Sequence, residues 1–120
     1  MKILIIDDEP LVRLSLRRAL LKSGHSVEEA EDGQSGLEKW TVFQPDLVFL
    51  DVLMPRLSGP DLLRALSPAD KGRAKVILMS AFAGDYDLKK AQALGADLFI
   101  AKPFENVFEV TKRGEEVVSG

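Results

Sequence analysis

The chain of 120 residues has no cysteine and only one histidine, His25. Disulfides and thiolate metal sites are therefore excluded, and a zinc site or catalytic triad based on histidine is implausible. No apolar run approaches the length of a membrane span, and no signal-peptide pattern precedes the first predicted strand. The net charge of -3 argues against direct binding of nucleic acid. We expect a cytoplasmic protein without membrane contacts, in which any metal is held by oxygen.

Short apolar runs alternate with helical stretches along the chain, which is typical of βα units around a parallel sheet. The length and the hydrophobic fraction of 46% suffice for one domain with one core. We therefore predict an α/β fold with a single doubly wound, five-stranded parallel sheet flanked by five helices. The predicted strands are residues 2–7, 25–30, 46–51, 75–80 and 97–101.

The five helices are predicted from apolar spacing and from start and stop signals. The polar stretch at 67–75 is predicted to be a loop. The last helix is expected to end near Gly114, so that residues 1–113 form the domain and residues 114–120 a tail or the start of a linker. Predicted helix starts are Pro10, Asp32-Gly33, Gly59-Pro60 and the region of Asp85 and Asp87, and the core-facing stripe of the last helix is Phe104, Val107, Phe108 and Thr111.

The first predicted strand, which is apolar, ends in Asp7 and Asp8. Acidic residues before a helix also cap its free N–H groups, and taken alone these two favour capping. However, three further strands end in or next to polar residues: Asp51, Ser80 and Lys102. In an open parallel sheet such residues meet at the carboxyl edge, where these folds bind ligands.

The strand order 2-1-3-4-5, adopted from flavodoxin-like folds, would gather these side chains around Asp51. Carboxylates held that close share protons or bind a cation, and a small oxygen-only cluster suits Mg²⁺. A carboxylate beside a metal, a lysine and a hydroxyl can accept a phosphoryl group. The pattern therefore predicts a nucleophilic Asp51, with Asp7 and Asp8 holding the cation.

Five separated motifs resemble the receiver domain of bacterial two-component response regulators over about residues 2–113. They are "DD" after the first strand, "DVLMP" from Asp51, Gly59 eight residues after Asp51, "MSA" at the end of the fourth strand and "KPF" after the fifth. Together, in this order and spacing, they are far more specific than any one of them alone.

The resemblance implies a role for each matching position. Asp51 is the expected phosphoacceptor, Asp8, Asp51 and the backbone carbonyl of Leu53 are expected to bind Mg²⁺, and Asp7 is expected to act on it through water. Ser80 and Lys102 are expected to stabilise the phosphoryl group. Ser80 and Phe99 are the expected switch residues, and Pro103 is expected to follow a cis peptide bond.

The implied function is a signalling switch that is not an enzyme, apart from catalysing its own phosphorylation and dephosphorylation. The phosphoryl donor would be a histidine kinase or a histidine phosphotransfer protein. The surface of the fourth predicted helix, the fifth strand and the fifth helix would change and regulate a downstream effector domain or protein. A phosphorylation-dependent homodimer is compatible with the resemblance, although the last helix lacks the arginine-rich pattern of the winged-helix branch.

Two positions depart from the commoner family pattern. Leu53 and Phe82 are apolar where many members carry polar or charged residues beside the phosphoryl group. We hypothesise that they restrict an attacking water and lengthen the lifetime of the phosphoryl state. Phe99 also lacks the hydroxyl of the commoner tyrosine, so that its two states cannot differ by that hydrogen bond.

Two alternative functions stay open. A receiver-like interaction module that works without phosphorylation would be expected to lose a site residue, and none is lost. A Mg²⁺-dependent aspartyl phosphohydrolase usually carries a second acid two residues after the nucleophile, where this chain has Leu53.

Overall fold

The computed structural model describes residues 1–81 and 87–120. Its five strands form one parallel sheet in the order β2-β1-β3-β4-β5, which confirms the predicted fold class and strand order. Each predicted strand is present, with bounds that differ by no more than one residue. The strands are β1 (Lys2–Ile6), β2 (Ser26–Ala30), β3 (Leu47–Asp51), β4 (Lys75–Ser80) and β5 (Leu98–Ala101).

Six helices lie in the described residues, one more than the five predicted. The additional helix is a single turn in the stretch predicted to be a loop. Ser67 starts it by accepting a hydrogen bond from the backbone N–H of Asp70, and Pro68 fits its first turn. The helices are α1 (Pro10–Lys22), α2 (Gly33–Phe43), α3 (Gly59–Ala65), α4 (Pro68–Lys71), α5 (Leu88–Ala93) and α6 (Val107–Ser119).

The helices cover both faces of the sheet because successive strand residues point to opposite faces. Leu4 and Ile6 of β1 face α2, α3 and α5, and Ile3 and Ile5 face α1 and α6. All four side chains are fully buried. None of the helices in the described ranges combines the length and apolar character needed to cross a bilayer.

The predicted end of α6 at Gly114 is wrong, because the helix continues to Ser119. Gly114 is buried, and a Cβ there would lie 2.8 Å from Cδ2 of Leu47. The glycine therefore lets α6 approach the sheet closely and does not stop the helix. The division into residues 1–113 and 114–120 stays a prediction.

The predicted apolar stripe of the last helix is also partly wrong. Phe104 precedes α6, and Phe108 is 59% exposed. The buried side of the helix carries Val110 and Thr111 together with Gly114.

Parallel pairing brings the carboxyl ends of the central strands to one edge of the sheet. Ile6 of β1 lies beside Leu50 of β3, and Asp51 lies beside Met79 of β4. Ser80 pairs in register with Ala101 of β5. The residues that follow these pairs therefore emerge side by side, which positions the candidate site.

Candidate functional site

The segment Asp7–Asp8–Glu9, here called the acidic loop, joins β1 to α1. Asp7 is fully buried, its N–H still pairs with the carbonyl of Ala30 in β2, and its Oδ1 accepts a hydrogen bond of 2.9 Å from the N–H of Glu9. Asp8 and Glu9 are exposed. Pro10 occupies the first turn of α1, so the chain turns sharply from strand to helix here. Asp7 is thereby fixed inward beneath two exposed acids.

A cluster of four carboxylates forms where the acidic loop meets the end of β3. Asp7, Asp8, Glu9 and Asp51 each offer an oxygen atom, and these atoms lie within 4.8 Å of one another. Asp51 is the last residue of β3 and is 4% exposed. Oxygen ligands in a compact acidic group fit a hard cation such as Mg²⁺. The donor set therefore agrees with the predicted metal, while the coordination of each residue stays a prediction.

Lys102, just past β5, extends its ammonium group into this cluster. Its Nζ lies 2.9 Å from Asp7 Oδ2, 2.7 Å from Glu9 Oε1 and 3.2 Å from Asp51 Oδ1. The backbone also constrains it, because its N–H donates to the carbonyl of Ser80. One buried cation thus bridges β1, β3 and β5 at the edge of the sheet.

The charges of this site perturb one another strongly. The pKa of Asp51 is raised to about 7, mainly by burial and next by the neighbouring Asp7, while Lys102 opposes both effects. Burial also raises the pKa of Asp7, against the hydrogen bonds from the N–H of Glu9 and from Lys102. Burial alone would lower the pKa of Lys102, but its hydrogen bonds to Glu9 and Asp7 outweigh burial and the pKa is raised.

The profile of the response regulator receiver domain matches residues 3–111, which is most of the chain. This chain belongs to the response regulator receiver family. Receiver domains are switches of two-component signalling that depend on phosphorylation, and they are not enzymes in the usual sense. They bind Mg²⁺ at an acidic pocket and interact with histidine kinases and phosphotransfer proteins, often alongside output domains.

Relatives of this receiver domain include regulators of two lengths. The transcriptional regulatory protein CseB of Streptomyces coelicolor is 34% identical over 110 residues, and the match covers 92% of this chain but 46% of CseB, about half of its length. The chemotaxis protein CheY of Thermotoga maritima is 34% identical over 105 residues, which are 87% of each chain.

One similar solved structure is the response regulator TrrA of Thermotoga maritima, in complex with Mg²⁺-BeF. It is 32% identical, has a TM-score of 0.81 and is matched over 97% of both chains. The Mg²⁺ of that complex belongs to TrrA. It agrees with the acidic donor set of this receiver domain.

The two expected switch residues lie on neighbouring strands of the receiver domain. Ser80 is buried at the end of β4, one residue beyond the partner of Asp51. Phe99 of β5 is half-buried and packs against the core cluster that includes Ala91 of α5. The position of Phe99 is compatible with a switching role, which stays a prediction.

The remaining expected residues have mixed outcomes. The Lys102–Pro103 peptide bond is cis, in agreement with the expectation. Leu53 is exposed just past β3, and its carbonyl as a metal ligand stays a prediction. Phe82 lies outside the described residues.

Sequence reasoning did not assign a role to two residues of this receiver domain. Glu9 makes a 2.7 Å ion pair with Lys102, and its signal was its place as the third consecutive acid after β1. Arg13 of α1 donates a hydrogen bond of 2.7 Å to the backbone carbonyl of Asp7. No sequence motif marked Arg13, because the contact depends on how α1 folds back beside the acidic loop.

Proposed function

We propose that this receiver domain accepts a phosphoryl group on Asp51 from a phosphohistidine, in a Mg²⁺-dependent reaction, and thereby switches an output surface. The observation that carries the proposal is the contact of the Lys102 ammonium with Asp51 and Asp7 at the carboxyl edge of the sheet. We also propose that the protein is cytoplasmic and that the switched surface regulates a downstream effector.

The acidic cluster supplies the residues that would hold Mg²⁺. We assign Asp8, Asp51 and the backbone carbonyl of Leu53 as its ligands, with Asp7 acting through water. Bound Mg²⁺ would supply positive charge against the carboxylates and the oxygens of the transferring phosphoryl group.

The chemical step is carried by side chains of the chain itself. An oxygen of ionised Asp51 attacks phosphorus, the bond from phosphorus to the donor nitrogen breaks, and the electron pair stays with the imidazole. Lys102, whose Nζ is 3.2 Å from Asp51 Oδ1, is placed to pair with the new phosphoryl oxygens. The raised pKa of Lys102 keeps the ammonium charged during transfer.

The readout begins at Ser80 and Phe99. Phosphorylation adds up to about two negative charges beside the end of β4, and the Ser80 hydroxyl is expected to move toward the new oxygens. This movement would leave space into which Phe99 can turn. The change would then reach the surface of α5, β5 and α6, which corresponds to the fourth predicted helix, the fifth strand and the fifth predicted helix.

An apolar groove beside the site suits the phosphoryl donor. It has a volume of about 440 Å³, and its lining includes Leu11, Phe104 and Val107 together with the site residues Glu9 and Lys102. Leu11 is 78% exposed. An apolar helix of a kinase or phosphotransfer protein lying in this groove would bring its phosphohistidine to the edge where Asp51 lies.

The deciding experiment is intact-mass measurement after incubation with acetyl phosphate, with and without Mg²⁺. We expect a gain of one phosphoryl group that requires Mg²⁺ and is absent from Asp51→Asn. Asp61→Asn is the matched control, because Asp61 is an exposed acid of α3 and should leave labelling intact. If no adduct forms in a folded wild-type protein, the phosphorylation-independent interaction module becomes the better explanation.

Docking of the phosphoryl donor in the apolar groove beside the site has a separate test. Leu11→Ser should slow transfer from autophosphorylated histidine kinases, screened as a panel, and leave labelling by acetyl phosphate unchanged. Val42→Ser on α2 is the control, because Val42 is a similarly exposed apolar residue outside the groove. Equal kinase transfer rates for both variants would contradict docking at this groove.

A further inference from the structure

Arg13 joins the acidic loop to the body of the domain through a backbone contact. Its Nη1 donates a hydrogen bond of 2.7 Å to the carbonyl oxygen of Asp7, and its side chain is 16% exposed. This carbonyl comes directly after the last residue of β1. A charged donor at this distance makes a stronger hydrogen bond than a neutral one would.

The guanidinium of Arg13 is itself held in place from the other side. Its Nε donates to Glu29 Oε1 of β2 at 3.2 Å, and Arg17, one turn further along α1, reaches Glu29 Oε2 at 3.1 Å. Arg13 therefore uses two edges of its planar fork at once, one on the loop and one on β2. A lysine has no second edge and cannot reproduce this geometry.

The carbonyl of Asp7 belongs to the peptide group that joins Asp7 to Asp8. Because a peptide group is planar, fixing its oxygen also fixes the direction in which the chain enters Asp8. Asp8 is exposed and needs some constraint to keep its carboxylate within the 4.8 Å cluster. The hydrogen bond from Arg13 provides a constraint at this peptide group.

We propose that Arg13 is a positioning residue, which fixes the backbone of the acidic loop and so orients the Asp8 carboxylate for Mg²⁺. The metal part of this inference rests on the proposed function. In the described contacts, the side chain of Arg13 touches neither Asp51 nor the proposed Mg²⁺ ligands Asp8 and Leu53. It would therefore act through the backbone carbonyl of Asp7.

Charge and positioning make opposite predictions for the loss of Arg13. A cation near an acidic cluster opposes the binding of another cation. If Arg13 acted only through its charge, removing it would therefore tighten Mg²⁺ binding. Loss of positioning would instead weaken binding, as it does for residues that orient metal ligands, by about tenfold. Arg13→Lys keeps the charge and removes the fork, whereas Arg13→Met removes both.

The test is isothermal titration of the full chain with MgCl₂. We expect Arg13→Lys and Arg13→Met each to weaken Mg²⁺ binding by about tenfold. Arg17→Met is the control: it shares Glu29 with Arg13 but makes no hydrogen bond to the acidic loop within the part of the chain that the structure describes. Wild-type affinity in Arg13→Lys, or tighter binding in Arg13→Met, would overturn the inference.

A metal-free measurement separates this inference from the proposed function. The N–H of Glu9 donates to Asp7 Oδ1 inside the loop, and its proton exchange can be followed by NMR in EDTA. Exchange should quicken by about tenfold in Arg13→Lys and stay unchanged in Arg17→Met. If wild type binds no Mg²⁺ the proposed function fails, and unchanged exchange at Glu9 refutes Arg13 as the residue that fixes the loop.

Discussion

Asp51→Asn is expected to stabilise the metal-free protein at neutral and alkaline pH. Burial, and next the proximity of Asp7, raise the pKa of Asp51 from 3.8 to about 7, while Lys102 opposes them. Ionising this carboxyl in the folded state therefore costs free energy that the unfolded chain does not pay. An asparagine amide carries no charge and removes that cost at almost the same volume.

The direction of the pH dependence follows from proton binding. Because the folded pKa of Asp51 lies above its unfolded value, the folded state binds the proton more tightly. The resulting stability is fully present below pH 3.8 and is lost as the pH rises through about 7. Each pH unit inside this window corresponds to about 1.4 kcal/mol, so wild type should lose about 3 kcal/mol relative to Asp51→Asn between pH 5 and pH 8.

The assay is urea denaturation in EDTA at several pH values from 5 to 8, followed by the fluorescence of Trp40. Trp40 is the only tryptophan and is fully buried, so its emission reports unfolding of the core. The free energy of unfolding of each protein is compared at each pH, which cancels the titration of groups that both share. Asp61→Asn, in an exposed ion pair with Arg64, should show no such trend.

A flat difference between wild type and Asp51→Asn across this pH range would refute the reasoning, because Asp51 would then ionise with an ordinary pKa. Mg²⁺ provides the complementary check. At pH 8 it should stabilise wild type more than Asp51→Asn, by about 1.4 kcal/mol for each tenfold excess over its dissociation constant. Equal stabilisation of the two proteins would exclude Asp51 as a metal ligand.

Four further substitutions have defined outcomes. Gly59→Ala should lower the free energy of unfolding by about 3 kcal/mol in urea denaturation, because its Cβ would lie 2.3 Å from the backbone carbonyl oxygen of Asp51. Lys102→Met removes the cation from two buried carboxylates and should cost about 3 kcal/mol at pH 8 while abolishing labelling by acetyl phosphate; unchanged stability would contradict the ion-pair argument. Leu53→Asn and Phe82→Glu should each speed the loss of the phosphoryl group, measured by intact mass over time, and an unchanged rate would end the lifetime hypothesis.

Four of the five strands were predictable from sequence because they are short apolar runs that end in, or are followed by, polar residues, whereas β2 (SVEEA) carries only a weak apolar signal. Ile3 to Ile6 and Leu47 to Leu50 are buried on both faces, so no alternation is needed to recognise them. The strand order was adopted from a known fold class, since nothing in a single sequence shows which strands are neighbours. The polar residues at the strand ends then predicted a site at the carboxyl edge of the sheet. At this edge Lys102 contacts Asp7 and Asp51.

The errors arose where two physical explanations fit the same residue. Gly114 resembles a helix stop, but its missing side chain lets α6 lie against Leu47. Phe108 belongs to the same i, i+3, i+4, i+7 series as Val107 and Thr111, yet it is exposed. The prediction failed here because spacing alone cannot tell which residues of such a series face the sheet. The contact of Glu9 with Lys102 depends on loop geometry, which carries no periodic signal.

Lys102 connects the side of the site that would receive the donor to the side that would read out phosphorylation. Its ammonium is shared with Glu9, at the start of α1, and with Asp51, while its N–H donates to the carbonyl of Ser80. It also lies three residues after Phe99, just past the end of the same strand. A phosphoryl group on Asp51 would draw the ammonium away from Glu9, so a change of charge at β3 would reach both the start of α1 and the residue that follows β5. This shared cation gives a physical reason why the strand that carries Phe99 should respond to chemistry at β3.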